Sequence, residues 1–257
     1  MRWTFALGLA LAGGVTVAQG PPLVGPPPAA TEVLIGEPPP LWSGSADLGL
    51  NGSTGNAELF NLRAGFAAGR KTADNLFTTD FLYTYTRTEG LTSVNQALFN
   101  ARDELLYPGT PWSLFASTNV EYDELRAYKF RVGVYGGVGY AVIDTDTLGL
   151  KLRAGAGAVR EIGSGGLADR WVPELIFGKD FRWKLSDTDS FVSTLEYYPR
   201  VDDFTQFRVR ARAAYEHVIS PATGMLVRLG AQDRYDSNPG NSRRNDLTYF
   251  ATFGVKF

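Results

Sequence analysis

The chain has 257 residues, a formal net charge of −2, no cysteine and a single histidine, His217. Disulfides, thiolate chemistry and any site built on two histidines are excluded, and the near-neutral charge gives no nucleic-acid footprint. Beyond the N-terminus no apolar run is long enough to cross a bilayer as a helix.

Residues 1–18 read as an export signal: Arg2 at the start, "FALGLALAGGVTV" as the apolar centre, and a small-residue cleavage site ending at Ala18. Residues 19–40 follow, "QGPPLVGPPPAATEVLIGEPPP", with eight of the fourteen prolines. Such a segment neither pairs in a sheet nor continues a helix, so a flexible lead is expected. A proline-rich ligand for a partner is the alternative, and no basic residue flanks it to fix an orientation.

The barrel domain is expected over 41–257. Alternating segments run at about 41–52, 56–68, 75–87, 92–106, 112–123, 126–143, 147–160, 171–184, 190–200, 205–219, 224–235 and 245–257. They are separated by turn formers such as "GRKTAD", "YPGTP", "SPATG" and "DSNPGNSRR". Long strands, tight hairpins and an even count predict an all-β fold, an antiparallel up-and-down transmembrane barrel of about twelve strands. Closure removes exposed strand edges.

The two faces differ. In 205–219, Phe207, Val209, Ala211, Ala213 and Tyr215 alternate with Gln206, Arg208, Arg210, Arg212 and Glu216. Periodicity alone does not say which face is outside. A soluble periplasmic barrel would hold an apolar ligand on an apolar inner face; a membrane barrel turns that face to lipid. The export signal and the tryptophans favour the membrane. Trp42, Trp112, Trp171 and Trp183 lie near strand ends. Trp171 and Trp183 share parity, and their separation spans roughly 28 Å along a membrane normal, as two aromatic girdles require. Lys179 shares that face, at a cost of about 2–4 kcal/mol at midplane; a bulge near Gly178 would turn it inward.

The last strand, "NDLTYFATFGVKF", keeps an apolar face to its final residue. Tyr249, Phe253, Val255 and Phe257 resemble the signal read by the barrel-assembly machinery of bacterial outer membranes. The opening, "WSGSADLGLNGSTGNAELFNLRAGF", resembles the first hairpin of the salt-induced outer-membrane protein family, a barrel family of unknown function, through Trp42, Gly44, Thr54, Gly55 and Asn56. "GVYGGVGYAVI" is similar to that family's central glycine-rich strand, and Glu161 and Glu174 lie where its later strands often carry acids. The resemblance implies an outer-membrane location and supplies no catalytic residue; the long proline-rich lead departs from it.

Candidate sites are few. Arg208, Arg210 and Arg212 share a face with Arg182, Asp180, Glu174 and Glu196 on nearby strands. They read as ion pairs across the lumen or as an arginine ladder in a narrow, anion-favouring pore. His217 would be the base of a lipid-modifying barrel enzyme, but no serine motif accompanies it and an interfacial histidine is the simpler reading. The two "DTD" triplets at 144–146 and 187–189 read as turns rather than cation ligands. No cofactor and no metal is indicated. The expected function is non-enzymatic, as envelope structure or a small-solute channel, with outer-membrane lipid and the assembly machinery as partners and no nucleic acid.

Overall fold

The computed structural model describes residues 42–55, 58–126, 128–163, 170–239 and 243–257. The expected signal and proline-rich lead, and Asn56 of the first turn, lie outside them. Twelve strands follow in chain order: β1 (Trp42–Ser53), β2 (Leu59–Lys71), β3 (Asn75–Thr88), β4 (Leu91–Leu106), β5 (Trp112–Asp123) and β6 (Phe130–Asp144), then β7 (Leu148–Ile162), β8 (Trp171–Lys184), β9 (Asp189–Pro199), β10 (Phe207–Ser220), β11 (Met225–Asp236) and β12 (Asn245–Lys256). Each pairs antiparallel with its neighbours in sequence, and β1 meets β12 to close a barrel. No described residue is helical.

Boundaries moved at several strands: the segment expected at 56–68 runs Leu59–Lys71, and two others begin late. The segment expected from 126 begins as a strand only at Phe130, because 124–129 turns into the barrel. The strand expected from 205 begins at Phe207, because 200–206 is a hydrogen-bonded connection.

The connections sort by end. At the end holding Trp42 and Phe257, called the near end, they are short: 72–74, 107–111, 145–147, 185–188 and 221–224. The far end carries 54–58, 89–90, 124–129, 163–170, 200–206 and 237–244, including the longest. Register shifts sit close to strand ends, at Thr86/Arg87, Ala141/Ile143 and Val218/Ser220.

Strict alternation gives the wall two faces. Leu48, Phe66, Phe81, Phe99, Leu114, Val138, Leu152, Phe177, Leu195, Leu229 and Phe253 point outward and are exposed. The inner face holds Asp47, Arg63, Glu104, Glu121, Arg153, Glu174, Arg208 and Arg228, all buried. This is the reverse of a soluble protein. The four tryptophans are each about half exposed on the outer face: Trp42, Trp112 and Trp183 ring the near end and Trp171 marks the far end. Phe77 packs edge-on to Trp42 and Tyr140 to Trp112, while Tyr122–Phe130 and Phe207–Tyr235 cluster at the far end.

Lys179 also points outward. The β7–β8 and β8–β9 registers run unbroken through Gly178, so no bulge turns it. Its Nζ donates to Ser193 Oγ at 3.2 Å and lies 5.8 Å from the Phe181 ring centre, four residues short of Trp183. The long side chain can reach the polar end from there.

Close wall packing depends on small residues. A Cβ on Gly157 would lie 2.0 Å from Val134 O and 2.5 Å from Tyr135 Cδ1, so the Tyr135 ring covers that glycine. At the seam, Phe257 and Gly44 exchange backbone hydrogen bonds, both 2.9 Å, and the Phe257 ring lies over Gly44. That contact closes the wall at the near end of the seam.

Candidate functional site: the charged lumen

Inward-facing side chains on twelve strands converge on the axis, and there the charges meet in pairs. Arg208 on β10 donates to Glu174 Oε2 on β8 at 2.6 Å, and the Tyr135 hydroxyl donates to the same oxygen at 2.7 Å. The Arg208 guanidinium stands 5.0 Å over the Tyr198 ring. Arg210 reaches across the lumen to Glu121 on β5 at 2.9 Å, and Arg234 on β11 adds a second contact at 3.3 Å. Arg131 on β6 holds Glu161 through its Nε at 2.7 Å and Asp236 at 3.3 Å.

A second network lies toward the near end. Arg153 takes Asp180 in a two-pronged pair, 3.1 and 3.0 Å, and lies 3.5 Å from Glu196. The Tyr198 hydroxyl donates to Glu196 at 2.7 Å. Arg102 approaches Asp180 at 3.4 Å and Glu104 at 2.9 Å, and Lys151 also pairs with Glu104. Each charge taken from water gains an opposite partner, which such burial requires.

The connection 124–129 folds inward over the first network. The Tyr128 hydroxyl donates to Glu121 Oε1 at 3.0 Å, and Arg131 stacks on the Tyr128 ring at 4.2 Å. Burial pushes the Tyr128 phenol well above its usual range. Arg126 pairs with Asp246 on β12 and with Asp123 at 3.6 Å. Together these groups stopper the far mouth. Beside them a cavity of about 180 Å³ opens among Arg131, Glu161, Glu174, Arg208 and Asp236. At its rim, hydrogen bonds from Arg200 hold the Asp202 carboxyl below its ordinary value, and those from Thr205 and Gln206 do so for Asp203.

Both networks mix buried and partly exposed groups: side-chain exposure is 1% for Glu104 and 2% for Arg153 beside 25% for Asp180, and 5% for Glu121 and 3% for Glu174 beside 29% for Glu161.

The structure places every charge expected in the lumen, Arg208, Arg210, Arg212, Arg182, Asp180, Glu174 and Glu196, on the inner face. It does not treat the arginine ladder as one unit. Arg208 and Arg210 are locked in ion pairs, while Arg212 is half-buried and makes no ion pair among the described residues. Tyr249, Phe253, Val255 and Phe257 line one outward row of β12 and its end. His217 also points outward, at the near rim, where Asp189 Oδ1 lies 2.8 Å from its Nδ1 and accepts from Tyr215. Among the described residues no cluster suited to a metal forms, the DTD triplets included.

Glu121, Arg131, Arg153, Arg234, Arg126 and Tyr128 were missed. The first four lie on the polar parity of their strands, a signal present in the alternation. Arg126 and Tyr128 sit in a connection, where alternation says nothing.

The barrel resembles the translocator domain of autotransporter NalP from Neisseria meningitidis, at 12% identity, TM-score 0.40, covering 84% of this chain and 86% of that one. It also resembles a NanC porin structure, at 9% identity, TM-score 0.43, covering 83% and 97%. No curated protein matches. The polar-lined, apolar-coated barrel coincides with a family model that matches residues 46–257, and the chain belongs to that family, described as "Protein of unknown function, DUF481".

Proposed function

We propose that this chain is a non-enzymatic outer-membrane β-barrel, an envelope protein whose lumen is braced by paired charges and partly stoppered on the cell-surface side by Arg126 and Tyr128. The observation that carries the reading is the inversion of faces: a predominantly apolar coat outside, interrupted at Lys179 and Asp233, and paired charges inside. Lipid rewards that arrangement and water does not. The tryptophans at both rims support the location. The near end faces the periplasm, since longer connections of such barrels lie outside, and the outward row ending in Phe257 is the segment that the assembly machinery would take up.

The cross-lumen pairs of Glu121 with Arg210 and Arg234 make the barrel a braced wall rather than an open pore. A second reading, a narrow passage for small anions, is favoured by Arg212, which makes no ion pair among the described residues and is half-buried in the lumen. Conductance in a planar bilayer separates them. The wild-type protein is expected to be nearly silent, and Arg126→Ala combined with Tyr128→Ala to open a small, anion-favouring conductance. Steady wild-type conductance would replace the structural reading by the channel. Hydrolysis of phospholipid by purified protein, lost in His217→Ala, would overturn the non-enzymatic assignment.

A further inference from the structure

The wall is not equally closed all round. Neighbouring strands elsewhere pair along most of their length; β6 and β7 run in register from Phe130↔Ile162 to Asp144↔Gly149. β1 and β12 pair only from Ser45↔Lys256 to Leu48↔Phe253, with Gly44 and Phe257 bonded below. Above Leu48 both strands continue, β1 to Ser53 against β2 and β12 back to Asn245 against β11, without pairing each other. The seam is a fork that opens about halfway up β1 and widens toward the far end.

Backbone bonding across the seam alternates, and Gly44·Phe257 is a bonded pair. Continued upward, the next bonded partners would be Leu50 with Ala251 and Gly52 with Tyr249. In the structure these edges have no strand opposite. Hydrocarbon does not hydrate such groups.

The row at which pairing stops is also polar. Thr84 lies beside Arg63 and Arg63 beside Gly49, while Thr252 lies beside Arg228 and Arg228 beside Glu216. Asp47, one step below, stands 3.6 Å from Arg63 and 3.7 Å from Arg228; Glu216 takes Arg228 at 2.7 Å. Thr84 and Thr252 in this row, and Asp47 and Ser45 below it, are all more than nine-tenths buried, yet each has a side-chain oxygen without a hydrogen-bond partner. There is room beside them. A Cβ on Gly49 would meet only Arg63 Cβ, at 3.8 Å. Outside, Leu50, Leu247 and Tyr249 flank the fork with exposed apolar surface.

We propose that the upper half of the β1–β12 seam is a side opening that binds an amphiphile with an uncharged, hydroxyl-bearing head. The head sits at the fork beside Gly49, and the tail lies between Leu50 and Tyr249. The chemistry selects that head. Asp47 and Glu216 stand against Arg63 and Arg228, and Arg212, which acts on Arg63, has Asp80 near it, so neither sign dominates. The unmet groups here are hydroxyl and carboxylate oxygens, which take hydroxyl donors. The backbone of Leu50, Gly52, Tyr249 and Ala251, with no strand opposite across the seam, supplies further donors and acceptors. The proposal rests on the membrane-barrel reading above.

The test uses the full chain in phosphatidylcholine nanodiscs. Spin labels at Ala46 and Val255, where the strands pair, should show the dipolar broadening of neighbours whose Cα atoms are about 5.5 Å apart. Labels at Leu50 and Ala251, two residues past the last pair, should show clearly weaker broadening. A dodecyl maltoside carrying a diazirine in its tail should then label 48–53 and 245–251 saturably. Gly49→Leu, which fills the room at the fork, should remove the saturable part while leaving heat-modifiable gel mobility unchanged. Equal broadening at both label pairs, or labelling spread evenly around the belt, overturns the side opening and leaves the membrane reading standing. Failure of the folded chain to enter the discs overturns both.

Discussion

The seam and the wall opposite it solve the same problem by different means. Between β6, β7 and β8 the backbone ladder is nearly continuous, and glycines let Tyr135 lie flat on the wall. At β1–β12 the ladder is short, and side chains take over: Asp47 on β1, Arg63 on β2, and Arg228 with Glu216 on β11 and β10. A sheet can therefore be closed by main-chain bonds or by charges behind them. The first is insensitive to side-chain identity except where space is short; the second depends on every charge.

The sharpest way to break this comparison is to remove a charge at the seam. Arg228→Ala leaves Glu216 and Asp47 buried with fewer partners, and about 3–5 kcal/mol of stability should be lost. Urea titration of the reconstituted barrel measures it. A loss below about 1 kcal/mol would mean that the row does not brace the seam. Next comes the solvent that both regions share. Ala213→Arg places a charge on the outer face between Ser193 and Ala231, with no acid opposite, and about 2–4 kcal/mol should be lost near midplane. Arg210→Ala on the inner face should still assemble, because Arg234 stays with Glu121. If gel mobility shows the opposite order, the faces are assigned backwards.

A steric contrast sharpens the comparison further. Gly157→Ala puts a methyl against Val134 O and Tyr135 in the wall, with an expected loss of about 1–3 kcal/mol. Gly49→Ala at the fork should change stability by no more than about 0.5 kcal/mol. The same titration compares the two, and equal losses would remove the distinction.

The smallest effect concerns pH at the far rim. Asp202 and Asp203 are held below their ordinary range by hydrogen bonds from Arg200, Thr205 and Gln206. A depressed carboxyl contributes above its unfolded pKa of about 3.9 and loses that contribution as pH falls through its folded value. The 200–206 connection should stay ordered from neutral pH to about 4 and loosen below it. Hydrogen exchange of that segment reads this out, with no change expected in the wall.

Alternation made the strands, their two faces and the inner charges legible, because a period of two follows from the pleat itself. Phe207 to Ile219 reads the same way in sequence and in space. The partners were not legible. That Arg210 meets Glu121 and not Glu196 depends on barrel curvature and on which strands face across the axis. Arg126 was read as strand because its neighbours alternate briefly; its pairing with Asp246 turns the segment inward. For Lys179 the sequence left open a bulge near Gly178 that would turn it inward; the register continues and the side chain lies along the outer face. The fork was invisible, since the apolar rows of β1 and β12 continue unchanged through it.

The inward connection at 124–129 bears on the order in which the molecule forms. Arg126 and Asp246 are 120 residues apart in sequence, whereas each hairpin joins strands separated by a few residues. Contacts between near neighbours along a chain form early, and those that close long loops wait until the intervening chain is in place. The stopper is therefore a late event, laid down after β12 has taken its position against β11. Until then the nascent barrel holds a water-filled interior, and a probe of Tyr128 burial during refolding would time the moment at which that interior is sealed.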